Sequence, residues 1–116
     1  MGDKAFTYGS IDMLVLKLID GEPMYGYQII EELKKQSCEA FRLSAGSLYP
    51  LLHNLEHKGY VETFEAQANG KSPGKPRKYY RITSQGERYL LDKAAEWERY
   101  SGAINNILYS KRRADS

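Results

Sequence analysis

Apolar residues recur along this chain with two different periods, and the change of period divides it. Ile11, Leu14, Val15, Leu18 and Ile19 fall at i, i+3, i+4, i+7 and i+8, one apolar face of an amphipathic helix. Ser10 stands where an N-cap would open that helix, and Gly21 with Pro23 two residues on would close it. A second helix is expected over about Tyr25 to Ser37, with Ile29, Ile30 and Leu33 turned inward. Gly26, between Tyr25 and Tyr27, marks a close approach of the backbone to a neighbour. That neighbour is either another helix or a phosphate held at the helix start.

The stretch from Ser44 to Tyr60, SAGSLYPLLHNLEHKGY, carries a third helix. Leu48, Leu51, Leu52 and Leu55 form its apolar face, and Gly59 is the expected left-handed residue that ends it. The opposite face, Ser47, Tyr49, His53, Asn54 and His57, is polar without being strongly charged. A helix that packs on one side and offers hydrogen-bonding groups on the other suits reading base edges in a major groove. If Ser47 is the N-cap, Pro50 lies in the first turn and its missing N–H costs nothing. If Ser44 is the cap, the bond to the Gly46 carbonyl is lost. Under both readings the free N–H groups of the helix start can face a phosphate.

Beyond Gly59 the period shortens to that of strands. Tyr60 to Phe64 and Lys78 to Ile82 are β-prone, and the ten residues between Gln67 and Lys78, ANGKSPGKPR, are rich in Gly, Pro and Lys. This predicts a hairpin with a basic tip. Three helices followed by such a hairpin give a winged helix-turn-helix, mainly α with a small β wing. The chain then returns to helical period from about Ser84, with Ser84 and Glu87 spaced as a capping box. Leu90, Ala94, Trp97, Ser101, Ile104 and Leu108 follow at intervals of 4, 3, 4, 3 and 4, a heptad stripe. A helix of about 25 residues spans about 37 Å, farther than a small domain is wide. Its far half needs cover from outside its own domain, and the same helix of a second chain supplies it most simply. The expected organisation is therefore a winged helix-turn-helix over residues 1–83 and a dimerisation helix with a basic tail over 84–116. Leu90, Ala94, Trp97, Ile104 and Leu108 are the expected dimer interface.

Bulk composition narrows the class. The chain has 116 residues, 41% hydrophobic and 28% charged, with a net charge of +2. Length points to one core, and no apolar run approaches the roughly 18 residues of a membrane span. MGDKAFTYGS has no charged segment followed by an apolar core, so no signal peptide is expected. Cys38 is the only cysteine, which excludes an internal disulfide and fits a reducing cytoplasm. Its expected role is a buried structural one rather than that of an oxidation sensor. Charge is uneven along the chain. Between Arg42 and Arg81 seven Lys or Arg stand against three Glu, a net of +4 for seven less three. A locally basic segment on a nearly neutral protein is the footprint of a phosphate-backbone binder. On this reading Tyr49, Lys75, Arg77 and Lys78 meet the backbone, and Ser47 and His53 lie nearest the bases.

Other motifs carry less. His53-Asn54-Leu55-Glu56-His57 matches the H-x-x-E-H pattern of a zinc-peptidase group. It lies inside the leucine-patterned helix of a chain too short for such a framework, so no metal and no enzyme is expected. Gly70 to Lys75 is one residue short of a phosphate loop and has Pro76 where Ser or Thr is required. Lys111, Arg112 and Arg113 read as a solvated tail. Around Trp97 and Tyr100, the small residues Ala94, Ala95, Ser101 and Gly102 leave slots in which a planar aromatic molecule could stack.

Taken together, GSIDMLVLKLI from Gly9, MYGYQI from Met24, GSLYPLLHNLEHKGYV from Gly46, GKPRKYYRITSQGE from Gly74 and the tryptophan of AAEWERY resemble the PadR family of transcriptional regulators, in its short form with a single C-terminal helix. The resemblance implies a dimeric cytoplasmic DNA-binding protein, usually a repressor of detoxification or efflux genes. It further implies release of the operator on binding a phenolic or multidrug-like ligand, stacked on a tryptophan where Trp97 stands here. Lys75-Pro76-Arg77 departs from the adjacent arginine pair that such wings often carry. A different class remains open from the residues alone: a winged-helix module that binds a protein through the same polar helix face, without sequence-specific DNA binding.

Overall fold

The computed structural model describes residues 2–67 and 75–111, over 2–10 by the backbone alone. Lys71 and the rest of the expected wing tip, 68–74, fall outside the described residues, as do Arg112 and Arg113. In chain order the elements are α1 (Gly2–Asp20), β1 (Met24–Tyr25), α2 (Gly26–Gln36), α3 (Ala45–His57), β2 (Val61–Ala66), β3 (Arg77–Ile82) and α4 (Ser84–Leu108). The strands form one antiparallel sheet in the order β1-β3-β2. Helices thus dominate, with the hairpin β2–β3 as the wing. Among the described residues no helix is long and apolar enough to cross a membrane.

One core holds these elements. Val15, Leu16 and Ile19 of α1, Ile29 of α2, and Leu48, Leu52 and Leu55 of α3 are all but inaccessible to solvent. Ile11, Val61, Tyr80 and Leu90 close the same cluster. Each buried aliphatic side chain is worth about 1.5–3 kcal/mol relative to its exposed form. The stripes of α1, α2 and α3 read from the sequence therefore point inward as expected, with Leu14, Leu18, Ile30 and Leu51 half-buried at their margins. Leu16 lies off the α1 stripe, yet it is buried because α2, β3 and α4 all pack on α1.

Four local expectations are corrected. α1 begins at Gly2, so Ser10 falls within the helix and not at its cap; between Asp3 and Tyr8 nothing stops a helix, and Gly9 costs it only about 1 kcal/mol. Tyr25 belongs to a two-residue strand, pairing with Tyr79, and α2 starts one residue later. So short a strand exists only because β3 offers an edge, and no local period announces it. The cap of α4 is Thr83, whose Oγ1 accepts from the Gly86 N–H at 3.0 Å, in place of the Ser84–Glu87 box. Cys38 is exposed rather than buried, in a turn where it and Glu39 both take positive φ, 53° and 67°. That turn joins α2 to α3, and residues 38–42 within it are exposed.

The end of α3 follows expectation. Gly59 has φ 83°, its N–H donates to the Glu56 carbonyl at 3.0 Å, and the Tyr60 N–H donates to the Leu55 carbonyl at 2.9 Å. This pair of bonds satisfies two of the carbonyls that a helix C-terminus leaves open.

Candidate nucleic-acid interface

Ser44 caps α3, its Oγ accepting from the Ser47 N–H at 3.3 Å. Of the two readings of Pro50 the second therefore holds, and the Gly46 carbonyl has no intrahelical donor from residue 50. Both residues are exposed, so water can take that acceptor. With Leu48, Leu52 and Leu55 buried, Ser47, Tyr49, His53, Asn54 and His57 are all exposed along the outer face. Among the described residues no three His, Cys, Asp or Glu side chains converge as a metal-binding group.

Tyr49 is held by α2. Its ring lies on Gly26 so closely that a Cβ there would collide with the Tyr49 hydroxyl and sit 2.6 Å from Cζ. The close approach expected at Gly26 is thus to an α3 side chain. Around this contact opens a shallow groove of about 500 Å³, lined by Tyr25, Gly26, Tyr27, Tyr49, Arg77, Lys78 and Tyr80. Among the described residues no acidic side chain lines it. The Arg77 guanidinium packs 4.4 Å above the Tyr25 ring, which meets Tyr79 edge-on at 5.4 Å. Lys78 places Nζ 5.8 Å from the Tyr80 ring. Burial, with Tyr49 and Glu56 nearby, raises the Tyr80 phenol above its ordinary value and keeps it a hydrogen-bond donor. Phenol hydroxyls beside two cations form a lining suited to a sugar-phosphate backbone.

The groove thus joins three of the six residues expected to touch DNA, namely Tyr49, Arg77 and Lys78. Ser47 and His53 lie on the outer face of α3 and do not line it, and Lys75 is exposed just before β3. Tyr25 and Tyr27 complete the lining and were not among the expected contacts. Their signal was in the sequence all the same, as the pair of tyrosines flanking Gly26.

A second candidate surface lies on α4. Leu90 is 7% exposed, whereas Ile104, Leu108 and Ile107 are 39%, 64% and 78% exposed. Trp97 and Tyr100 are partly open at 38% and 57%, Ala94 is exposed, and Ser101 donates its hydroxyl to the Glu98 carbonyl at 3.3 Å. A Cβ on Gly102 would meet nothing within 4 Å.

Residues 15–92 match the Transcriptional regulator PadR-like family. An uncharacterised protein of Lysinibacillus sphaericus is 38% identical over 89 residues, which are 77% of this chain and 79% of that protein. Among solved structures, a PadR-like transcriptional regulator from Bacillus cereus superposes with a TM-score of 0.77 at 30% identity, covering 90% of this chain and 96% of its own. A transcriptional regulator from Clostridium thermocellum gives a TM-score of 0.77 at 28% identity, over 92% and 99% of the two chains.

Proposed function

The chain belongs to the PadR-like family of transcriptional regulators, a DNA-binding regulator and not an enzyme, and we propose that it works as a homodimeric repressor released by a planar aromatic or phenolic ligand. The observation that carries the dimer is the far half of α4. Ile104, Ile107 and Leu108 offer a run of apolar surface to solvent, a feature that marks an interaction site on a soluble chain. The radius of gyration, 17.6 Å, also exceeds the roughly 13 Å of a compact chain this long. A second α4 laid antiparallel across the stripe buries these side chains by two-fold symmetry.

On this reading α3 enters the major groove with Ser47 and His53 towards the bases, while the tyrosine-lined groove and Lys75 hold the backbone. Phosphate contacts set register and base contacts set sequence. The ligand site would lie at the dimer centre, between Trp97 and Tyr100, with Ala94 and Ser101 giving room for a flat ring. The residues 84–116 then act as the pairing unit and 1–83 as the reading unit.

Selection of bound sequences from a random duplex library tests the first part, and a two-fold symmetric consensus is expected. His53→Ala should relax preference at one base position by about 1–3 kcal/mol while leaving non-specific affinity nearly unchanged. Equal loss at all positions would demote His53 to a positioning residue. Trp97 is the only tryptophan, so its fluorescence reports the second part. Phenolic acids or planar aromatics should quench it and release DNA over the same concentration range; quenching without release would remove the ligand from regulation.

A further inference from the structure

The end of α3 and the start of α4 are bonded to one another at several points. Thr83 Oγ1 donates to the Gly59 carbonyl at 2.6 Å while accepting from the Gly86 N–H, and the Thr83 N–H donates to the Tyr60 carbonyl at 3.0 Å. One threonine therefore caps the pairing helix and ties its first turn to the turn that stops the reading helix. Gly86 lies so near the Tyr60 carbonyl that any Cβ would collide with it, and would sit 2.8 Å from Ile82 Cγ1. Tyr60 in turn stacks on Tyr89 of α4 at 4.4 Å, and the Tyr89 hydroxyl donates to Asp12 of α1 at 3.4 Å. A corner bonded on three sides has little freedom to pivot.

We propose that this corner fixes the angle between the pairing helix and the reading helix, with Thr83 as the positioning residue. The proposal rests on the two-fold reading given above. Capping alone needs only an acceptor for the Gly86 N–H, and a serine or an aspartate would serve as well in a loose joint. The Thr83 hydroxyl also spends its proton on Gly59, the residue whose left-handed turn ends α3, so a rotation of α4 carries α3 with it. A rigid joint presents both α3 helices already aligned, which spares the ordering cost of binding two half-sites at once.

Cys38, the only cysteine and exposed in the α2–α3 turn, supplies a native attachment point for a spin label. Dipolar spectroscopy on the labelled full-length chain then reads one distance between the two protomers. Thr83→Val removes both side-chain bonds. Thr83→Asp keeps the cap acceptor, and so the start of α4, but has no proton for Gly59. Thr83→Ser keeps both bonds. The parent and Thr83→Ser should give one narrow distribution, and Val and Asp should each broaden it about two-fold while pairing stays intact, with about ten-fold weaker binding to a selected two-fold site and unchanged non-specific affinity. Should Val fail to fold, the Asp variant decides alone. A distribution as narrow as the parent's in either folded variant overturns the proposal. Absence of any interprotomer signal in the parent would instead defeat the two-fold reading, and the corner's role with it.

Discussion

The two halves of α4 carry one continuous heptad stripe and meet opposite fates. Leu90 is sealed into the core by α1, while Leu108, five turns on along the same stripe, is 64% exposed. Nothing in the local sequence distinguishes them, since both are aliphatic residues on a well-capped helix. What differs is the supplier of cover: the near half is covered by its own chain, and the far half calls for another. On the two-fold reading proposed above, the near half is a matter of folding and the far half one of association, and the two can be broken separately.

Breaking the near side should cost most. Leu90→Ala opens the core where the near half of α4 is buried, at about 2–5 kcal/mol. Thermal melting should show the whole chain destabilised, with pairing and DNA binding lost together. Next in size comes the far side. Ile104→Asp with Leu108→Asp should weaken pairing by about a hundred-fold or more, since burying each aliphatic side chain is worth at least about 1.5 kcal/mol. Circular dichroism of the winged part should stay as in the parent, and sedimentation equilibrium should show single chains. A coordinated loss of fold would place the far half inside the core after all.

The wing responds on a smaller scale. Lys75→Ala with Arg77→Ala should lower affinity for every sequence and flatten log K against log salt by about 0.9 for each phosphate that is no longer neutralised. An unchanged slope would remove the wing from the interface. Smallest is the effect at Asp12. Burial, ahead of the opposing pull of Lys58, the Tyr89 hydroxyl and Lys93, holds its carboxyl above the ordinary value of 3.8. A carboxylic acid raised by folding contributes stability at low pH and loses it as pH climbs through the raised value. Asp12→Asn, which keeps an acceptor for Tyr89, should therefore raise the melting temperature slightly at neutral pH, and the gain should vanish as pH falls below that ordinary value. At the alkaline end the Tyr89 phenol, pushed up to about 12 from 10.0, contributes stability below pH 10 that is lost as pH rises through 12.

Much of this architecture is readable from residue spacing, because burial against one face imposes a period. The leucines of α3, the stripe of α1 and the glycine at position 59 each follow from a single local requirement. The misreadings share a different origin. Met24 and Tyr25 form a strand only because β3 lies beside them, Thr83 outcompetes Ser84 as a cap because it also reaches Gly59, and Cys38 is exposed because its turn leaves the core. These are tertiary facts with no local signature. Of the groove's lining, Tyr49, Arg77 and Lys78 stand out by residue type, whereas Tyr25 and Tyr27 join the same groove only once α2 is set against β3.

The central claim is that two reading helices are held at a fixed spacing by paired α4 helices. The most direct test measures affinity for duplexes in which two copies of the selected half-site are moved apart base pair by base pair. The account predicts two chains bound per duplex and one sharp optimum at a centre-to-centre separation of about 34–36 Å. A flat dependence on spacing, or one chain bound per duplex at saturation, would contradict it.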